Sequence, residues 1–294
     1  MNTHLVIGAS GQVGEHLVYA LHEAGFRVEG TYRSRPVKDA YQLDIRDVSQ
    51  TRSLMFGLRP TTVYLPAAWA NVDDCELNPA NSYATNVLGV RNVLKIVNEI
   101  GASLVYFSSD YIFDGRDGPY SEFDAANPIC EYGRQKLLAE HMIALQAKNY
   151  LIVRTTVVYG WESQGKNFVY RLLRSLESGQ TIKVPYDQIG NPTYAPDLAR
   201  AVIALVSQDA RGVYNIVGPD RISRYQFACQ AAQIFGFDTS LVIGVSTSEL
   251  GQRARRPLNA GLRVDKLEAE YNLRLSSHIE GLKKMAFERR LRPL

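Results

Sequence analysis

With 294 residues, 46% hydrophobic and 21% charged, the chain can bury a large core and has the composition of an ordinary soluble globular protein. A net charge of +3 is too slight to argue for a nucleic-acid partner, and no apolar run approaches the ~20 residues of a membrane helix, so neither nucleic acid nor membrane is expected. Cys75, Cys130 and Cys229 are odd in number and far apart, which gives no disulfide framework and no metal site and points to a reducing, cytoplasmic setting.

The first apolar run, Leu5-Val6-Ile7, breaks into Gly8-Ala-Ser10-Gly11-Gln12-Val13-Gly14 and then into a helical stretch from His16 to Leu21. Because that run opens a glycine turn, it does not read as a signal peptide. Strand, glycine turn and helix in this order lay out a dinucleotide site, where small residues let backbone N–H groups at a helix N-terminus approach a pyrophosphate. A second strand, Arg27 to Tyr32, ends without the acidic residue that would hold the ribose hydroxyls of NAD; Arg33 and Arg35 follow instead. Positive charge there suits a 2′-phosphate, so NADPH is favoured, with NADH left open by Glu29 should it turn inward.

Further on, Thr62 to Pro66, a helical segment from about Pro79 to Ile100, and Ala102 to Ser108 repeat the alternation of apolar strand and amphipathic helix. Right-handed strand–helix–strand units of this kind predict an α/β fold with a doubly wound parallel sheet covered on both faces. Ligands on such sheets lie at the carboxyl ends of strands, where the sequence puts Ala67, Ala68, Ser108, Ser109 and Asp110.

In Glu131-Tyr-Gly-Arg-Gln-Lys136 the tyrosine and lysine share one helix face, where the ammonium is expected to lower the phenol's pKa toward neutrality and make it a proton donor. Ser109 would hydrogen-bond a substrate carbonyl, and Asn86, on the preceding helix, would brace a water beside Lys136. The spacing alone is commonplace; the glycine turn and the strand ends give it weight.

Residues from about 160 to 190 and from 219 to 294 are less regular, while Tyr194 to Gly218, with strand-like Gly212 to Val217, is expected to return to the sheet. The division that follows is a cofactor domain over 1–160, rejoined by 191–218, and a discontinuous substrate lobe over 161–190 and 219–294. Arg256 is the preferred cation of this lobe for an anionic ligand; Lys166, Asn167, Arg171 and Arg174 are weaker candidates. The basic stretch Lys283 to Arg292 reads as a surface helix or an oligomer contact, compatible with a homodimer.

Gly8-x-x-Gly11-x-x-Gly14, Asn86, Ser109 and Tyr132-x-x-x-Lys136 resemble the extended short-chain dehydrogenase/reductase superfamily. Within it, Ser108-Ser-Asp-Tyr-Ile-Phe-Asp-Gly115, Arg154 to Gly160, Gly190 to Ala199 and Arg256-Pro-Leu-Asn259 resemble the dTDP-4-dehydrorhamnose reductase branch. The resemblance implies a Rossmann-type fold and NADPH-dependent reduction of a nucleotide-linked 4-keto-6-deoxy sugar, with Tyr132 protonating the emerging alkoxide and Lys136 contacting the nicotinamide ribose. It also implies cofactor contacts at Ser10, Gln12, Val13, Asp44, Ile45, Ala67 and Ala68, and substrate contacts at Trp69, Ser109, Asp110, Tyr111, Asn167 and Arg256.

Departures from the branch qualify that expectation. Val157 stands where rhamnose-forming members usually carry Trp, so either Trp161 or Trp69 supplies the aromatic wall or the pocket accepts a different deoxy-sugar. Asp110-Tyr111 replaces the Asp-Glu pair of the dehydratases, which argues against elimination. An epimerase remains an alternative, with Cys130 either an extra base or an inert thiol. The chain also resembles the regulatory β subunit of methionine adenosyltransferase, a non-catalytic alternative.

Overall fold

Thr3–Ile7 (β1) is buried at every residue, as a strand covered on both faces must be. In the computed structural model, which describes residues 2–289, β1 is an interior strand of a seven-stranded sheet. Its other members are Arg27–Tyr32 (β2), Ala40–Gln42 (β3), Thr62–Leu65 (β4), Ser103–Ser109 (β5), Tyr150–Thr155 (β6) and the late strand Gly212–Asn215. The spatial order is Gly212–Asn215, β6, β5, β4, β1, β2, β3, and every pairing is parallel. The order reverses between β1 and β4, and on sheets of this kind ligands bind at the carboxyl ends of the strands beside such a reversal.

Side-chain alternation along the strands sorts the core into two layers. On one face Val6, Tyr64, Val105 and Val153 pack on Leu17 and Leu21 of Gln12–Glu23 (α1) and on Leu198 and Val202 of the helix Ala195–Ser207. On the other, Leu5, Ile7, Val63 and Leu104 meet Met55 of Val48–Leu58 (α2) together with residues of the later helices. After β4 come two short helices, Val72–Leu77 (α3) and Pro79–Tyr83 (α4), then a π-helical turn, Ala84–Gly89, and Val90–Ile100 (α5). The expected helix from about 79 to 100 is therefore broken by a π turn, a local irregularity frequent at functional sites. Gly89 closes that turn against Ile45, whose Cγ1 would lie 2.6 Å from any Cβ placed there.

Glu131–Gln146 (α6) carries Tyr132 and Lys136. It is pinned to the sheet by a buried ion pair in which the Arg154 guanidinium of β6 grips both oxygens of Glu140 at 2.7–3.2 Å and also reaches the Glu122 carbonyl at 3.2 Å. Removing one partner of such a pair strands the other charge and typically costs about 3–5 kcal/mol.

The remaining chain builds a smaller cluster around Tyr159, Trp161, Leu172, Phe227 and Met285. Its helices are Phe168–Glu177 (α7), Arg224–Ile234 (α9) and His278–Arg289 (α11), while Ala195–Ser207 (α8) and Asp265–Tyr271 (α10) pack back into the core of the sheet. Three two-stranded pairs brace this part; one of them joins Ile189–Gly190 antiparallel to Ile222–Ser223. Arg290 and Arg292 of the basic C-terminal stretch lie outside the described residues.

Candidate active site

The glycine turn has the close packing a dinucleotide cradle requires. Gly8 adopts φ +101° against Ala67, and a Cβ on Gly14 would sit 2.1 Å from the Gly8 carbonyl oxygen. The first helix thus begins as near to β1 as backbone allows. Gly11 is its N-cap and offers no side chain to cap the helix, so the amide groups of Gln12, Val13 and Gly14 open the turn without a side-chain acceptor. Gln12 Nε2 is buried without a partner. An uncapped helix start, a glycine-lined approach and an unpaired buried donor together fit a bound pyrophosphate.

At the end of β2, Arg33 is exposed with its guanidinium 5.9 Å from the centre of the Trp69 ring. Glu29 is paired with Arg27 at 3.2 Å. Asp44 is gripped by Arg46 through several short contacts, which hold its carboxyl below the usual range. Ile45 is buried against Gly89, and its carbonyl accepts from Asn92 at 3.0 Å. The side chains of Asp44 and Ile45 are therefore committed within the protein, as are the Asp44 N–H, which donates to Gln50, and the Ile45 carbonyl.

Lys136 is buried, donates from Nζ to the Phe107 carbonyl of β5 at 2.8 Å, and stands 5.8 Å from the centre of the Tyr132 ring. Burial lowers its pKa to about 8 against the pull of Glu140 and Cys75. The expected fall of the Tyr132 pKa is not found. Burial pushes the phenol well up, with Cys75, Asp110 and Tyr111 adding to the rise. The reason is geometric: the ammonium spends its hydrogen bond on Phe107, and loss of water outweighs the charge some distance away.

Asn86 lies in the π turn, and its work differs from the expected bracing of a water. Its Oδ1 accepts from Trp69 N–H at 2.8 Å, while Nδ2 donates to the Trp69 carbonyl at 3.1 Å and to Gln135 Oε1 at 2.9 Å. It ties the segment after β4 to α6, one residue from Lys136.

Ser109 ends β5 and caps the short 3-10 turn Asp110–Ile112. Its Oγ donates to Asp110 Oδ1 at 3.0 Å and accepts from Tyr111 N–H at 3.3 Å, so its proton is engaged by Asp110 rather than left free for a carbonyl. Thr156, just past β6, donates to Asp110 Oδ2 at 2.8 Å. Burial raises the Asp110 pKa, and these two hydroxyls oppose the rise. Tyr111 meets Tyr132 edge-on at 5.7 Å between ring centres. Gly133 allows this approach, because a Cβ there would lie 2.0 Å from the Tyr111 carbonyl oxygen.

A family model described as the RmlD substrate binding domain matches residues 1–290. The chain belongs to this family. It is 36% identical over 258 residues to the spore coat polysaccharide biosynthesis protein SpsK of Bacillus subtilis, covering 87% of each chain. It is 30% identical over 291 residues to the dTDP-4-dehydrorhamnose reductase of Aggregatibacter actinomycetemcomitans, covering 95% of this chain and 96% of that one. Among solved structures it superposes with a TM-score of 0.90 and 30% identity on the dTDP-4-dehydrorhamnose reductase of Bacillus anthracis in complex with NADP, across 98% of this chain and 100% of that one.

Seen as an RmlD-family chain, the expected substrate residues divide. Ser109, Asp110 and Tyr111 cluster with Tyr132 as described. Trp69 is half-buried, bonds Asp74 Oδ2 through Nε1 at 2.7 Å and faces Arg33, on the β2 side of the crevice. Asn167 is a structural cap: its Oδ1 accepts from Tyr170 N–H at 3.1 Å and its Nδ2 donates to the Gly160 carbonyl at 2.8 Å. Arg256 pairs with Asp73 at 2.9 Å and is nearly buried, so the preferred diphosphate clamp already has an acid partner. Trp161 is core, with Nε1 on the Met285 carbonyl at 2.8 Å, and supplies no aromatic wall. Val157 takes φ +45°, a left-handed conformation that is costly for a β-branched residue. Cys130 is fully buried and its thiol is pushed up by burial, which makes it an inert thiol rather than a base.

Three features of this RmlD-family site escaped the sequence reading. Thr156 could have been found, since it follows a strand of the same parallel sheet as Ser109. Arg224 begins α9 with its guanidinium 5.2 Å from the centre of the Phe168 ring, and its charge acts on both Asp110 and Tyr111. The loop after Gly160 is strapped to the first turn of α1: His16 Nε2 bonds the Trp161 carbonyl at 2.9 Å, Ser163 donates to Glu15 at 3.0 Å, and Gln164 donates to the Ser10 carbonyl.

Proposed function

We propose that the protein is an NADPH-dependent reductase of a nucleotide-linked 4-keto-6-deoxy sugar, of the dTDP-4-dehydrorhamnose reductase type. The observation that carries this reading is that Tyr132, Lys136 and the Ser109–Asp110–Thr156 hydroxyl chain gather around the carboxyl end of β5, in the same parallel sheet whose β1 ends in the glycine turn. The names of the similar proteins, two of them dTDP-4-dehydrorhamnose reductases, support it.

In this reading Gly8, Gly11 and Gly14 and the first-turn amides of α1 hold the pyrophosphate of NADPH, and Arg33 faces its 2′-phosphate. Bound NADPH supplies a hydride to the sugar's carbonyl carbon. Tyr132 supplies the proton: because burial raises its pKa, the phenol stays loaded at neutral pH and delivers Oη–H to the oxygen as negative charge develops there. Lys136, an ammonium below a pH of about 8, fixes that end of the pocket in a positive field, and the low dielectric of the site strengthens it. Ser109 and Thr156 both donate to Asp110 and fix its carboxylate at the end of β5, where a substrate carbonyl would have to draw the Ser109 proton away from it. Residues 1–160 and 191–218 would form the cofactor half, and 161–190 and 219–294 the substrate half. Unpaired cysteines fit a reducing cytoplasm, and among the described residues no helix is long and apolar enough to cross a membrane.

The test is NADPH consumption, followed by the absorbance of the reduced nicotinamide, with a dTDP-4-keto-6-deoxy sugar as substrate. Turnover is expected. Tight NADPH binding with no consumption across dTDP- and UDP-linked keto sugars would replace the reductase with a nucleotide-binding subunit.

A further inference from the structure

A sugar nucleotide brings a diphosphate with at least two negative charges into a cleft that already buries Asp110. A cation without an acid partner has to meet it, or desolvation of the phosphates would oppose binding. Among the described residues of the 161–190 and 219–294 segments, four guanidinium groups are at least half-buried. Arg221 is bound to Asn259 and the Ala260 carbonyl, Arg256 to Asp73 and Arg289 to Glu177. Arg224 is the fourth. Its side chain has no carboxylate within ion-pair distance and rests on the face of Phe168 at 5.2 Å.

Its placement is specific. Arg224 follows Ser223, which caps α9 through a reciprocal bond pair with Gln226, and its own N–H donates to the Gln188 carbonyl at 2.9 Å. Ile222 of the same strand pairs with Gly190, and Gly190 lies against Val157 and Thr156, within 3.5 and 3.8 Å of a Cβ built on it. Thr156 in turn holds Asp110. The base of the arginine is thus linked to the Thr156–Asp110 pair by a short run of backbone and side-chain contacts, while its head makes no hydrogen bond to a carboxylate.

Resting on the reductase reading, we propose that Arg224 is the residue that receives the substrate's diphosphate, in place of the already paired Arg256. The planar fork of a guanidinium suits two phosphate oxygens, and stacking on Phe168 orients it before the ligand arrives. Its field on Asp110 and Tyr111 agrees with a cation aimed into the cleft.

Wild type, Arg224→Ala and Arg224→Lys are titrated by calorimetry with dTDP, thymidine and NADPH. The expected result is a loss of dTDP affinity of roughly 10- to 100-fold in Arg224→Ala, partial recovery in Arg224→Lys, and unchanged thymidine and NADPH affinities. Wild-type-like dTDP binding by Arg224→Ala overturns the role of Arg224 and leaves the reductase reading intact. Failure of the wild type to bind dTDP while it binds NADPH sinks the nucleotide-sugar reading and the proposal with it. If Arg224→Ala also loses NADPH, its fold is damaged, and Arg224→Gln, which keeps the stem over Phe168, is read in its place by the same criteria.

Discussion

Gly133 stands so close to Tyr111 that a methyl group on it would lie 2.0 Å from the Tyr111 carbonyl oxygen. The first turn of α6 therefore rests directly on the turn that follows β5, and this sets where the Tyr132 phenol lies. Gly133→Ala has to push the two apart, at a cost of about 1–3 kcal/mol. The expected outcome is a melting temperature lower by several degrees and a fall in kcat larger than any change in NADPH affinity, read by calorimetry and steady-state kinetics.

Tyr132→Phe keeps the ring and its edge contact with Tyr111 but removes the proton donor. The rate should fall by a factor on the order of 10²–10⁴ with NADPH affinity nearly intact. Equal turnover of the two proteins in single-turnover assays would refute the assignment.

Lys136 titrates near pH 8 in the folded protein instead of at its ordinary 10.5. Its ammonium is present below that value and lost above it, so kcat/KM should be level toward neutrality and decline as pH rises past about 8. Stability moves the other way. Between about 8 and 10.5 the unfolded chain keeps a proton that the folded one has released, so folding is strengthened as pH rises through that window. Lys136→Met should remove this gain, measured by denaturant titration, and abolish most of the activity.

Thr156→Val strips one hydroxyl from buried Asp110 and should cost about 1–3 kcal/mol at neutral pH. Because the folded pKa of Asp110 is raised, its ionised form is penalised, and the penalty grows as pH rises above the unfolded value of 3.8. The Thr156→Val deficit should therefore shrink in acid, and adding Asp110→Asn should relieve it at neutral pH. Denaturation curves at two pH values decide this.

Arg33→Glu places a carboxylate where a 2′-phosphate would lie. NADPH affinity should drop roughly 10- to 100-fold while NADH affinity changes little. Trp69, against which Arg33 rests, gives a fluorescence signal for the titration; Trp161 is buried in the lobe core and supplies a steady background.

Local pattern carried much of this architecture. Gly8, Gly11 and Gly14 announce a strand-to-helix turn because few other residues tolerate that backbone approach, and Tyr132 and Lys136 share a face because a helix repeats at 3.6 residues. What the letters hide is partnership between distant segments. Arg256 reads as a phosphate clamp until Asp73 is found beside it, and Asn167 reads as a ligand until the start of α7 claims its amide. Trp161 in a polar loop gives no sign that its ring turns into the Phe235 and Tyr170 cluster. The raised Tyr132 pKa is hidden for a related reason: spacing gives the separation of two groups along a helix but not how much water each loses.

The turn Ala84–Gly89 winds with one residue more than an α-helix would use to close the same hydrogen bonds. Excising a single position there would let the helix regularise and would rotate everything before the cut by about 100° relative to α5. Asn86 would swing off both Gln135 and the Trp69 backbone, and the link between the fourth strand and the tyrosine-bearing helix would be lost without any change to the reacting groups. The extra residue makes the alignment of the cleft a matter of helical phase, set once when the chain winds.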